Sequence, residues 1–282
     1  MILALNGGGM RGALQAGALS ELSGQVGEPE LWKLFPGGVY GISVGAIIGA
    51  YVAFGFSAQN ISDILLEWAG VPLDPPRLES LVKFRETNGL DDGRVIRERL
   101  RQDFAKRGFD FDSLRIRDAR IPLHIIATDC INVRSVIFGT NVRLWDALRS
   151  SMSVPFVYKP HTFSCGTFID GVELCPSIMS AIPMADRPNV FFLLISRSIP
   201  VRSGQFFETM TSFKSLHATR KIHERYPNMT CLLTDDETAT FNVWGSKESS
   251  QATAALGARR FRHFVTEGTG QEFLVRCRPG RP

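Results

Sequence analysis

The 282-residue chain has little of what would carry it through a membrane or stabilise it in an oxidising space. Its longest uncharged apolar run, Val44–Phe56, falls short of the roughly 18–20 residues that a membrane-spanning helix needs. Any lipid is therefore expected to be met from the surface. The opening Met1-Ile2-Leu3-Ala4-Leu5 is too short for a signal-peptide core, so a cytoplasmic location with at most peripheral membrane contact is expected. Cysteine is scarce and scattered: Cys130, Cys165, Cys175, Cys231 and Cys277 form no Cys-x-x-Cys pair. An odd, widely spaced set argues against a disulfide framework and for a reducing compartment. The histidines (His124, His161, His217, His223 and His263) show no His-Glu-x-x-His or comparable spacing, so neither a metal nor a cofactor is expected.

Charge is equally uninformative. A net charge of +4 is too mild to imply a nucleic-acid partner. The excess is concentrated in Gly257–Pro282, where Arg259, Arg260, Arg262, Arg276, Arg278 and Arg281 face only Glu267 and Glu272. Contact with anionic lipid is one reading of that basic end, and a solvated tail is the favoured one. With 44% apolar and 21% charged residues the chain can build a sizeable core, and no repeat, low-complexity run or interdomain linker divides it.

What is present centres on residues 39–56. Val39-Tyr40 reads as a strand, Gly41-Ile42-Ser43-Val44-Gly45 as a tight turn, and the apolar run to Phe56 as a buried helix. Strand, turn, helix is the setting of a nucleophile elbow, with Ser43 strained at its tip and Gly41 and Gly45 where a Cβ would not fit. The same Gly-x-Ser-x-Gly also occurs by chance, so the reading depends on finding an oxyanion hole and a base.

A second glycine turn supplies the first of these. Asn6-Gly7-Gly8-Gly9-Met10-Arg11-Gly12 lies between the strand Ile2–Leu5 and a helix expected from Ala13 to Leu22, ended by Gly24. Bare backbone N–H groups in such a loop suit an anion. Gly7-x-Gly9-x-x-Gly12 fits the dinucleotide fingerprint, but that motif needs an acidic residue ending the next strand, which here ends at Ser43. A Walker loop lacks its Gly-Lys-Ser/Thr. An oxyanion hole beside Ser43 asks for nothing more and is preferred.

Farther on, Pro72, Pro75 and Pro76 break the pattern, and the charged Arg94–Phe104 reads as an amphipathic surface helix, so 72–120 is expected to cover one edge of the site. Pro122–Asp129 reads as a buried strand, Arg134–Phe138 as its hairpin partner and Asn141–Ser153 as a helix. Phe163–Ile169 is an edge hairpin ending at Asp170-Gly171. Val190–Ser196 is a buried strand, Thr230–Thr234 another, and Phe206–Tyr226 and Ser250–Thr266 are helices. Alternating strands and helices predict an α/β fold with a mainly parallel sheet. By itself Asp170-Gly171 is no more than a hairpin turn.

Gly7–Gly12, Gly41–Gly45 and Asp170-Gly171 together resemble, in order and spacing, the three signature blocks of patatin-like phospholipases. Gly89-Leu90-Asp91-Asp92-Gly93, Ala127-Thr128-Asp129 and Ser150-Ser151-Met152-Ser153-Val154-Pro155 agree with this resemblance, which covers about residues 1–180. It implies a three-layer α/β/α fold for 1–282 as one domain, with 196–282 completing it. It also implies acyl-ester hydrolysis of membrane lipids by a Ser–Asp dyad: Ser43 the nucleophile, Asp170 the base, and Gly7, Gly8, Gly9, Met10, Arg11 and Gly12 the oxyanion loop, with Gly8 and Gly9 as donors. Arg11 is expected to support that loop. The family usually has Gly or Ala after Asp-Gly; here Val172 brings a β-branched side chain to the base loop. Three alternatives stay open: a Ser–His–Asp triad through His217 or His263, a non-catalytic scaffold binding lipid or protein, and a nucleotide-binding protein. An activating protein partner or a homo-oligomer is compatible with the main reading.

Overall fold

The computed structural model describes residues 1–69, 82, 84–197, 206–235 and 246–277. Pro72, Pro75, Pro76, Arg278 and Arg281 lie outside the described residues. The chain runs β1 (Ile2–Leu5), α1 (Gly12–Val26), β2 (Val39–Ile42), α2 (Val44–Ala53), α3 (Ala58–Trp68), β3 (Gly89–Asp91), α4 (Arg94–Ala105), β4 (Leu123–Asp129) and β5 (Arg134–Ile137). It continues with α5 (Leu144–Ser151), β6 (Phe156–Tyr158), β7 (His161–Phe163), β8 (Gly166–Asp170), β9 (Val190–Ser196), α6 (Phe206–Arg225), β10 (Thr230–Thr234), α7 (Lys247–Thr266) and α8 (Gln271–Cys277).

The main sheet is ordered β10-β9-β1-β2-β4-β8-β7, with β5 also paired to β4, and β3 and β6 make a separate two-stranded ribbon. From β10 to β4 all pairings are parallel, whereas β5, β7 and β8 join in antiparallel fashion. Parallel strands covered on both faces are expected to be apolar throughout. Ile2–Leu5 and Val190–Ser196 are buried at every position. Successive side chains point to opposite faces. Leu3, Leu5, Val39, Ile125, Phe191 and Leu193 enter one core, while Ile2, Ala4, Tyr40, Ile42, Ile126 and Phe192 enter the other. The fold is the expected α/β type, a mixed, mostly parallel sheet between helical layers.

The sequence reading differs from the structure at element ends. Helix α1 passes through Gly24 and stops at Gly27, whose φ of 74° supplies the left-handed cap. Helix α2 stops at Ala53, and Phe54 and Phe56 stay buried beyond it. The helix expected over Asn141–Ser153 spans only Leu144–Ser151. The described part of 72–120 is anchored in the core. Leu100, Phe104, Phe111 and Leu114 are buried there, Phe104 packing on Tyr51, Phe54 and Phe56. Helix α4 is amphipathic as read, Leu100 and Phe104 anchoring it beneath a charged outer face.

Helices α1 and α7 cross with almost no space between them. A Cβ on Gly17 would stand 1.8 Å from Ala254 O, and one on Gly257 2.1 Å from Leu14 O. Helix propensity alone would make Gly17→Ala stabilising by about 1 kcal/mol. The clash is with backbone, which cannot rotate away, and overpacking costs about 1–3 kcal/mol or more. Gly17→Ala should therefore lower Tm by several degrees in a thermal melt. A rise in Tm would mean that the helices do not cross this closely.

Candidate active site

The pairing of β4 brings two distant segments together. Ile126 pairs with Ile42 of β2 and with Ile137 of β5, so those strands lie on opposite edges of β4. Positions 127–129 pair with both β5 and β8, which places β8 on the edge that β2 occupies. Strands β2 and β8 thus run toward one another along a single edge. Ile42 faces Ile126, and Asp170 faces the next residue, Ala127. Ser43 follows Ile42 directly, so it arrives beside Asp170.

Ser43 has φ 57° and ψ −127°, a conformation that non-glycine residues rarely adopt. The neighbours hold it there. Its N–H donates to Ser151 Oγ at 2.9 Å, and the Ser151 hydroxyl donates to Ile126 O at 2.7 Å. Its carbonyl accepts from Ala46 N–H at 2.9 Å, opening α2. Gly45 is required by close approach, since a Cβ there would stand 2.4 Å from Leu5 O and 2.6 Å from Asn6 O.

Asp170 is buried. Its backbone N–H donates to Ser153 O at 2.9 Å, and its Oδ1 accepts the Val172 N–H at 3.0 Å. Oδ2 is buried, with no hydrogen-bond partner among the described residues. Burial pushes this carboxyl up to about 7, against the downward pull of the Val172 N–H and the nearby Ser43 hydroxyl, with Glu173 adding to the rise. A carboxyl held there exchanges a proton readily near neutral pH.

The glycine loop completes the arrangement. Among the described residues no protein acceptor takes the N–H of Gly7, Gly8 or Gly9. The loop is pinned from below by Asn6, whose amide donates to Ile195 O at 3.0 Å and accepts Ile195 N–H at 2.8 Å. The Gln15 amide donates to Asn6 O at 3.2 Å and Leu193 O at 3.1 Å. These side chains continue the β1–β9 ladder after the backbone of β1 has turned away. A Cβ on Gly7 would lie 3.0 Å from Ser43 Cβ and 3.1 Å from Val172 Cγ2, so the loop passes between them. Val172 therefore holds the carboxyl with its amide and touches the loop with its side chain.

Gly7, Gly8, Gly9, Ser43, Asp170 and Val172 line one cleft, which Arg11, Glu173 and Arg197 also reach. Met10 is outside it and exposed, and Gly12 opens α1. Gly41, Ile42, Val44, Gly45 and Gly171 shape the turns without lining the cleft. Gln15 and Arg197 were not singled out from sequence, and Asn6 and Ser151 entered it only as members of longer motifs. Gln15 could have been: one amide in the apolar run Gly12–Leu19 must find a partner once buried. No histidine lines the cleft among the described residues. His161 Nε2 is 3.0 Å from Asp146 Oδ1, His124 stacks on Tyr40, and His217 and His263 are exposed.

Known proteins resemble this chain in sequence and in fold. YqhO of Bacillus subtilis, an uncharacterized protein, is 25% identical over 94% of this chain and 97% of its own length. The cUMP-AMP-activated phospholipase of Escherichia coli is 32% identical over 66% of this chain, which spans about half (48%) of that protein. Among solved structures, VipD of Legionella pneumophila shares the fold at 12% identity, with a TM-score of 0.57 over 94% of this chain and 66% of that one. The patatin-like phospholipase family profile matches residues 3–185, and the chain belongs to that family.

Proposed function

We propose that the protein hydrolyses fatty-acyl esters of membrane lipids, with Ser43 as nucleophile, Asp170 as its base and the Gly8 and Gly9 amides as the oxyanion hole. The observation that carries this reading is the meeting, in one cleft, of a strained serine, a buried carboxyl near neutrality and a loop whose amides have no acceptor among the described residues. Ser43 Oγ attacks the ester carbonyl while Asp170 takes its proton. The tetrahedral oxyanion is held by the glycine amides, and losing one such donor typically costs about 100–1000-fold. Asp170 then protonates the departing alcohol and leaves an acyl-serine. Water, deprotonated by Asp170, attacks that ester, and the fatty acid departs as the proton returns to Ser43.

A triad is disfavoured because no described histidine lines the cleft, His161 being tied to Asp146. A scaffold role is disfavoured because strain at Ser43 and burial of Asp170 both cost folding energy, which a merely structural domain has no reason to keep. Reaction with a fluorophosphonate separates the two: labelling at Ser43 supports the hydrolase, and absence of labelling supports the scaffold.

Ser43→Ala and Asp170→Asn should each lower kcat/KM on a lipid ester by at least about 1000-fold without loss of folding. Near-full activity in Asp170→Asn would remove Asp170 as the base. The base must be ionised, so kcat/KM should rise with pH up to about 7 and level off above it. Stability runs the opposite way. A carboxyl whose folded pKa lies above its unfolded value of about 4 loses stabilisation as pH rises between the two. Asp170→Asn should therefore melt no lower than the parent at pH 8. A clearly lower Tm there would contradict the burial cost assigned to this carboxylate.

A further inference from the structure

Two stretches singled out in the sequence, Gly89–Gly93 and Ser150–Pro155, supply no reacting group to the proposed chemistry, and one side chain joins them. Arg149, in the last turn of α5, is only 2% exposed. Its Nε donates to Asp92 O at 3.0 Å and its Nη2 to Lys159 O at 2.8 Å, just past the ends of β3 and β6. The Lys159 N–H donates to Asp91 O at 2.9 Å, which ties those two strand ends to each other. The guanidinium also lies 5.2 Å from the centre of the Tyr158 ring. Gly93, at φ 80°, leaves room for it, since a Cβ there would stand 2.6 Å from Arg149 Nε.

A further donor of Arg149 leads to the site. Its Nη1 donates to Ser153 Oγ, and that hydroxyl donates back to Arg149 O at 2.6 Å. Ser153 O in turn accepts the Asp170 N–H at 2.9 Å. Two residues earlier, Ser151 Oγ accepts the Ser43 N–H. The end of α5 therefore holds the backbone of both Ser43 and Asp170. An apolar side chain would fill the space of Arg149 without the cost of burying a charge. What it could not do is bond the ribbon and Ser153 at once.

We propose that Arg149 is a positioning residue for Asp170: by tying the β3–β6 ribbon to Ser153, it fixes where the carboxyl stands relative to the Ser43 hydroxyl. This rests on reading Ser43 and Asp170 as the reacting pair. Arg149 does not line the cleft, so it acts through Ser153 and touches no substrate. A displacement of about 1 Å in a reacting group can cost about 100-fold in rate. Lysine is no substitute, because one ammonium cannot reproduce a planar fork that reaches two carbonyls and a hydroxyl. The Asp170 carboxyl is held high mainly by burial, so one that slips toward water should titrate lower, while Glu173, which adds to the rise, is left unchanged.

The test compares Arg149→Lys and Ser153→Ala with Gly17→Ala, a destabilising change away from the cleft. Values of kcat and KM are measured on a soluble short-chain ester below every melting transition. The Asp170 carboxyl is titrated by carbon-13 NMR, its signal assigned by its loss in Asp170→Asn. Ser153→Ala keeps the carbonyl that Asp170 uses and removes the link to Arg149, so it carries the test if Arg149→Lys does not fold. Both variants should lower kcat at least about tenfold, leave KM within about threefold, and lower the Asp170 midpoint by about one pH unit or more. Gly17→Ala should match the parent in all three.

Parental kcat in either folded variant, an unchanged Asp170 midpoint, or an equal loss of kcat in Gly17→Ala would each overturn the positioning role. Should the parent cleave no ester, the hydrolase reading falls and the titration alone decides. A lowered midpoint in Ser153→Ala would then keep Arg149 as the support of Asp170, and an unchanged one would remove it.

Discussion

A strand edge offers one set of hydrogen-bonding groups, and in this protein two strands share the edge of β4. Strand β2 enters from one end and β8 from the other, and they stop at neighbouring residues, Ile126 and Ala127. Almost everything at the site follows from that. Where the two strands end, Ser151 donates to the carbonyl of Ile126 and accepts the N–H of Ser43. Because both turns start from paired strand ends, a hydroxyl and a carboxyl from remote parts of the chain are placed without relying on a long loop.

The same meeting point is costly. Ser43 sits in a sparsely allowed backbone conformation, and among the described residues Asp170 Oδ2 is buried without a partner and three glycine amides go unbonded. The surrounding packing supplies the compensation: strands buried on every face, a ring of phenylalanines around Phe104, and a close crossing of α1 and α7. Rigid surroundings hold the strained groups where the proposed chemistry needs them.

Most of the central elements could be read from the chain because their signals are local. Val190–Ser196 has no polar residue before its end, Val39–Ile42 stops at a glycine turn, and the amphipathic Arg94–Phe104 is helical. Boundaries shifted where one glycine had to be chosen over another, as at Gly24 and Gly27, since only packing selects which one takes the left-handed cap. The supporting polar residues were harder. Asn6, Gln15 and Ser151 look ordinary in the sequence, and their partners Ile195, Leu193 and Ser43 are far away along the chain.

From the sequence by itself came the α/β class, the glycine loop, the serine turn and the candidate acid, because strand, turn and helix preferences are written in neighbouring residues. Only the tertiary structure set the Asp170 carboxyl in a buried cleft with Ser43, as its proposed role requires. Its role depends on which edge of β4 takes β8 and on the burial that follows, and neither is a property of Asp170-Gly171 itself. The same holds for Arg149. Its bonds to Asp92 and Lys159 arise from how the chain is folded back on itself, which no local pattern of residues encodes.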